Sequence, residues 1–240
     1  MRHPRFVRIW VGPIALALGV TLACGTDQAA ETPGSRASAL ERISDGPHPI
    51  AEITVKDLGV IRIELLPEIA PKTVANFVKL AGEHFYDGTT FHRVIPAFMI
   101  QGGDLASKNK DPRDDGKGGP GYTIDDEFSD LPHDRGVVSM ANRGTLNSGG
   151  SQFFIIHEDS PHLDGKYSAF GRVIEGIEVV DRATEVPIDK YGRYGPTDRP
   201  YPTSVVIESI RIQGIEATGA SASAAPDAGG PLGSALAPNS

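Results

Sequence analysis

Ala51, Ile53 and Val55 alternate with polar neighbours, and Ile61, Ile63 and Leu65 do the same beyond Asp57-Leu58-Gly59. A two-residue period interrupted by a turn predicts a β-hairpin. The period then lengthens: Val74, Phe77, Val78 and Ala81 fall at i, i+3, i+4 and i+7, after Pro67 and Pro71 and before Gly82. That spacing, with those punctuating residues, predicts an amphipathic helix. Strand patterns return from Phe91 onward, at 136–140, 152–156 and 168–173, and in a closing strand at 205–212. Ile177, Val179 and Val180 predict a short second helix. Strands outnumber helices, and turn signals such as Asp164-Gly165 separate several of them. The pattern therefore predicts a mainly β fold and leaves a closed barrel and a sandwich both open. Residues 102–121 and 186–203 read as long polar loops rich in Gly and Pro, a length that goes with function or mobility.

The two ends differ from the middle. Arg2, Arg5 and Arg8 precede an apolar run from Ile9 to Ala23, interrupted by Thr21. A charged start and so short an apolar run predict an export signal over 1–23 and not a spanning helix. The chain's one cysteine, Cys24, follows directly, in a layout that resembles a bacterial lipoprotein signal. The Leu usual three residues before such a cysteine is Thr21 here. The expectation is an exported chain held on a membrane by lipid at Cys24, facing the periplasm or cell exterior; ordinary signal cleavage and an uncleaved anchor are the alternatives. Residues 24–45 would be the lipidation site and a flexible tether. Residues 215–240, rich in Ala, Ser, Gly and Pro, are expected to be a disordered tail. Between them, 46–214 is long enough for one well-buried domain.

Charge narrows the partners. Losing 1–23 removes Arg2, Arg5 and Arg8 and moves the net charge from −8 to −11. An acidic chain lacks the basic surface that phosphate backbones require, which argues against nucleic acid. A single cysteine excludes an internal disulfide.

The densest chemistry is the run Phe91-His92-Arg93-Val94-Ile95-Pro96-Ala97-Phe98-Met99-Ile100-Gln101-Gly102-Gly103-Asp104. It sets a guanidinium among apolar side chains, where desolvation is costly. Taken alone, Arg93 could be half of a structural ion pair, and Phe98, Met99, Phe154 and Leu163 could be core. This run resembles the central motif of the cyclophilins, the peptidyl-prolyl cis-trans isomerases. Ser139-Met140-Ala141-Asn142-Arg143-Gly144 and Gly149-Gly150-Ser151-Gln152-Phe153-Phe154-Ile155 resemble the segments that complete that family's proline-binding face. Leu163-Asp164-Gly165-Lys166 and Phe170-Gly171-Arg172-Val173 fall where the family has its next strand pair. The likeness runs in register from about Ala51 to Gln213.

The resemblance implies a closed eight-stranded antiparallel β-barrel capped by two α-helices, acting as a monomer on proline-containing polypeptides without cofactor or metal. It implies Arg93 as the catalytic group and an apolar slot of Phe98, Met99, Phe154 and Leu163. Gln101 and Asn142 would hydrogen-bond the substrate backbone, Ala141 would leave room for the residue before proline, and Gln152 would share the face. His92, His162 and Tyr167 are expected to support the site. His162 stands where many eukaryotic members have Trp, and Tyr167 where they have His, so weak cyclosporin inhibition is expected. The loop 143–151 is one residue longer than in those members, which bears on preference for the residue before proline.

Other chemistries find little support. Seven histidines are scattered without ligand spacing. Asp114, Asp115, Asp125, Asp126 and Glu127 lack an ordered Ca²⁺-loop pattern and read as a solvated acidic loop. Gly116-Lys117-Gly118 lacks the spacing and hydroxyl of a phosphate loop, and Ser151 lacks a nucleophile-elbow context. The rival from another class is a proline-segment binding module or holdase chaperone without turnover.

Overall fold

The structure is a computed structural model and describes Ile43 and residues 46–214, apart from Lys110 and Thr203. The expected signal, Cys24, the tether other than Ile43, and the tail lie outside the described residues.

The first hairpin forms as its period requires. β1 (Ile50–Val55) and β2 (Gly59–Leu65) pair antiparallel, and the turn uses Asp57 and Gly59 at φ 60° and 122°. Ala51, Ile53, Val55, Ile61, Ile63 and Leu65 are all buried. α1 (Pro71–Gly82) follows, burying Val74, Phe77, Leu80 and Ala81. Its own N-cap, Ala70, offers no side-chain acceptor. Glu127 supplies one from the acidic loop: its carboxylate accepts from Lys72 N at 3.0 Å and from Thr73 N and Oγ1 at 2.8 Å each. Lys72 Nζ also reaches Asp125 at 2.6 Å. Part of the acidic stretch thus closes a helix terminus, satisfying donors that the helix cannot satisfy itself. Glu127→Ala is expected to cost about 1 kcal/mol in chemical denaturation, the usual value of an N-cap.

The run from Phe91 is a hairpin, not the one strand its pattern suggests. β3 (Arg93–Ile95) turns at Pro96-Ala97-Phe98 into β4 (Met99–Gly102). Ala97 sits at φ 59°, and its N–H donates to His157 Nδ1 at 3.0 Å. β5 (Val137–Met140), β6 (Phe153–Ile156), β7 (Ser168–Glu175), α2 (Ile177–Glu185) and β10 (Ile207–Gln213) stand close to their predicted positions. Asp164-Gly165 links a 3₁₀ turn (Pro161–Leu163) to β7, so it is not a hairpin turn, and β7 alone occupies the last matching block. Within the loop 186–203 lies a small ladder, β8 (Ile188–Asp189) with β9 (Arg199–Pro200).

One antiparallel sheet runs β10-β1-β2-β7-β5-β6-β4-β3. α1 packs on β10 and β7, and α2 on β2. The sheet is a curled, open one rather than the expected closed ladder, because among the described residues no ladder joins β3 to β10. The outer edge of β3 is occupied instead by the 186–203 segment, where Val94 N donates to Asp198 O at 2.8 Å. Just upstream, a single bridge, Thr90 with Val206, touches the β10 side.

Two apolar clusters lie on this sheet. The larger one takes Ile100, Val138, Met140, Phe153 and Ile155, together with Phe77, Tyr86, Phe91 and Phe170. The smaller takes the alternate residues: Met99, Val137, Phe154, Ile156, Leu163 and Ala169, with Phe98, Ala141 and Tyr167 against them. Strand side chains alternate between faces, so the apolar runs in β5 and β6 are buried on both sides. Phe98, Met99, Phe154 and Leu163 therefore belong to the second cluster, not to the main core.

Candidate active site

Strand register assembles the site. Arg93 pairs with Gln101, Gln101 with Phe154, and Phe154 with Ser139, a row across β3, β4, β6 and β5. Directly opposed residues have Cβ atoms about 5 Å apart, so side chains on one such row meet. Arg93, Phe98, Met99, Gln101, Ala141, Asn142, Phe154, Leu163 and Tyr167 line a cavity of about 100 Å³. At ~30 Å³ per water, that holds about three waters, the scale of one small side chain.

Arg93 is half-buried on the wall of this cavity, and its guanidinium has no ion pair among the described residues. The structural ion-pair reading therefore has no partner to offer. Gln101 Nε2 donates to Gln152 Oε1 at 2.9 Å, and Gln152 Nε2 donates to the carbonyls of Gly116 and Gly118 at 3.0 and 2.9 Å. These amides tie β4 to the 105–121 loop. Asn142 donates to Lys166 O at 3.2 Å and accepts from Gly144 N at 3.0 Å, which leaves one side-chain N–H for a ligand. Gln101, Ala141, Asn142 and Gln152 also border a second cavity of about 580 Å³.

The three supporting positions separate. Tyr167 lines the cavity and meets Phe154 edge-on, with centroids 5.3 Å apart. His162 is exposed at the rim, its ring 5.3 Å from Phe98. His92 is buried outside the cavity lining, and its Nδ1 has no hydrogen-bond partner. Burial lowers its pKa against the pull of Asp104 and Asp115, which keeps the imidazole neutral.

Behind Phe154 lies a set of residues that no motif singled out. His133 Nδ1 donates to Asp164 Oδ1 at 2.9 Å, and its Nε2 accepts from Ser139 Oγ at 3.0 Å. The connectivity is that of an acyl-transfer triad, but Ser139 is fully buried and no carbonyl can reach it. The imidazole instead stacks on Phe154 at 6.2 Å and 20°, and Asp164 ties down the segment that carries Leu163 and Tyr167. The residues concerned lie 6 and 31 positions apart, so no local pattern marks them.

His133 has a lowered pKa, chiefly because burial penalises its charged form, and Asp164 offsets this only in part. The unfolded chain then binds a proton more readily than the folded one below the ordinary value of 6.5. Stability should consequently fall as pH drops below 6.5. His92 acts in the same direction. His48 opposes: burial lowers its pKa, but its bonds to Glu64 and Glu68 outweigh this and raise it. Denaturant midpoints at about pH 7.5 and about pH 5.5 should show a loss at the lower pH, and His133→Gln should reduce that loss. Equal midpoints in the native protein would refute this.

The site thus combines a curled antiparallel sheet, a small cavity lined by Phe98, Met99, Phe154 and Leu163 together with polar side chains, and a guanidinium without an ion pair among the described residues. Residues 50–212 match the family model described as cyclophilin type peptidyl-prolyl cis-trans isomerase/CLD, and the chain belongs to that family. It is 53% identical over 126 residues to peptidyl-prolyl cis-trans isomerase B of Bacillus subtilis, covering 52% of this chain and 82% of that one. A Synechococcus elongatus peptidyl-prolyl cis-trans isomerase is 49% identical over 138 residues, covering 54% and 90%. Among solved structures, a Cryptosporidium parvum cyclophilin type isomerase, crystallised in the presence of the dipeptide Ala-Pro, superimposes with a TM-score of 0.60 at 34% identity. It covers 69% of this chain and 99% of its own. The chain is thus a cyclophilin-type peptidyl-prolyl cis-trans isomerase.

Proposed function

We propose that this isomerase accelerates cis-trans exchange of Xaa-Pro bonds in proteins outside the cytoplasm, with Arg93 as the group that lowers the barrier. The observation that carries this is the half-buried Arg93 guanidinium, without a carboxylate partner among the described residues, on the wall of a cavity sized for one ring.

Amide resonance sets a barrier of about 18–20 kcal/mol to rotation about the prolyl bond. As the bond twists, the nitrogen lone pair leaves conjugation and becomes a hydrogen-bond acceptor. A donor aimed at that nitrogen stabilises the twisted state more than either planar isomer, and such differential binding lowers a barrier. Arg93 suits the task, being permanently charged with a rigid planar fork. Phe98, Met99, Phe154 and Leu163 hold the ring, with Tyr167 completing the slot. The free oxygen of Gln101 and the remaining N–H of Asn142 face the substrate backbone. Ala141 leaves space for the preceding residue, and Gln152 braces Gln101. His162 shapes the rim, and His92 acts only through the fold beneath.

Export and lipid anchoring rest on Arg2, Arg5, Arg8, the apolar run to Ala23, and Cys24. No helix among the described residues is long and apolar enough to cross a membrane. Uncatalysed prolyl exchange takes tens of seconds or more, slow enough to limit folding of exported chains. NMR exchange spectroscopy on a short Xaa-Pro peptide tests the activity. Binding without accelerated exchange would favour the recognition-module reading. Mass spectrometry of the mature N-terminus tests the anchor, and an unmodified Cys24 would overturn it.

A further inference from the structure

A cavity of about 1250 Å³ lies outside the prolyl site, between the 105–121 and 186–203 loops. Its lining carries Arg113, Lys117, Arg193 and Arg199 with one carboxylate, Asp111; Arg199 is already paired with Asp115, so three cations face that carboxylate. That excess is notable on a chain whose net charge is −8. Arg113 is held by Asp111 at 2.8 and 2.7 Å, and Lys117 Nζ donates to Arg113 O at 2.9 Å. Arg193 is exposed and has no carboxylate partner among the described residues.

One wall is aromatic. The rings of Tyr194 and Tyr201 stack at 4.2 Å and 11°, yet remain 51% and 38% exposed. The two loops form one platform. Asp115 pairs with Arg199 across them, and a Cβ at Gly195 would fall 2.7 Å from the Pro112 carbonyl oxygen. Tyr194 N donates to Asp189 Oδ2 at 2.7 Å, which fixes the β8–β9 turn.

The groove is linked to the prolyl site through shared lining residues. Lys117 borders both the groove and the 580 Å³ cavity, and that cavity shares Gln101, Ala141 and Asn142 with the prolyl slot.

We propose that this groove is a second binding site for the same client, taking an acidic segment that flanks the proline. Arg113, Lys117 and Arg193 would pair with its carboxylates, and the stacked tyrosines would carry its backbone and apolar side chains. The acidic bulk of the chain repels such segments elsewhere, so the groove would set which end of a client docks. This inference rests on the isomerase reading for the proline's position, but the groove's charge preference can be measured by affinity alone.

The test uses the full chain and two fluorescent peptides sharing one Ala-Pro core, one flanked by glutamates and the other by glutamines. Two exposed ion pairs at ordinary strength predict about fivefold tighter binding of the acidic peptide. The advantage should shrink with added salt. It should disappear in the Arg113→Glu/Arg193→Glu variant, whose exchange rate on the glutamine peptide should match the native rate. Equal affinity for both peptides, or an advantage that survives charge reversal, overturns the proposal. So does the alternative that native chain, but not the variant, binds phosphatidylglycerol vesicles while showing no peptide preference. Failure to accelerate exchange of the glutamine peptide would count against the isomerase reading instead, because the affinity comparison would still report on the groove.

Discussion

Arg93→Ala should lower the rate of Xaa-Pro exchange by at least about an order of magnitude, roughly 1.4 kcal/mol of barrier. Peptide affinity should change far less. Planar cis and trans substrates present no free lone pair on nitrogen, so the guanidinium contributes mainly once the bond is twisted. Loss confined to the rate is the signature of an interaction made only in the transition state. The fold should tolerate the change, because Arg93 has no ion pair to lose among the described residues. Arg93→Lys should fall between the two: it keeps the charge and loses the planar fork. Exchange spectroscopy at saturating peptide, with affinity measured separately, checks the split. Unaltered exchange in Arg93→Ala would remove Arg93 from the mechanism and return the site to recognition alone.

Parts of this molecule were legible because their information is local. The alternation at Ala51-Ile53-Val55 and the 3.6-residue spacing at Val74-Phe77-Ala81 each specify one buried face, and the strands and helix form there. The hairpin at Pro96-Ala97-Phe98 was hidden because alanine is a weak turn signal; its φ of 59° is held by a bond to His157, sixty positions away. β8 and β9 are two residues each, too short for any period. At the site, the family motif brought forward Arg93, Gln101, Phe154 and the slot residues, and the register then placed Arg93, Gln101 and Phe154 on one row. The motif could not distinguish His92, buried outside the slot, from Tyr167, which lines it. Nor could it reveal His133 behind Phe154 or Glu127 at the start of α1. Both depend on long-range pairing, which a local pattern does not encode.

The Asp115–Arg199 pair joins the two loops of the platform, and Asp115→Ala should destabilise the protein by about 3–5 kcal/mol. The side chains are 2% and 15% exposed, so removing the carboxylate strands a guanidinium that water barely reaches. The penalty arises from that orphaned charge, not from the net strength of the pair. A double variant, Asp115→Leu with Arg199→Met, should accordingly recover most of the loss by replacing both charges with apolar volume. Asp111 and Arg113 provide the contrast: that pair is exposed, and Asp111→Ala should have a small effect. The consequence extends beyond stability. Arg199 lies on β9, next to Asp198, whose carbonyl accepts from Val94 on β3, and Val94 follows Arg93. Loosening the platform should therefore affect the edge strand that presents the guanidinium. Denaturation of the three variants, with exchange rates measured on those that remain folded, checks both links. Native-like stability in Asp115→Ala would show that the pair does not secure the platform.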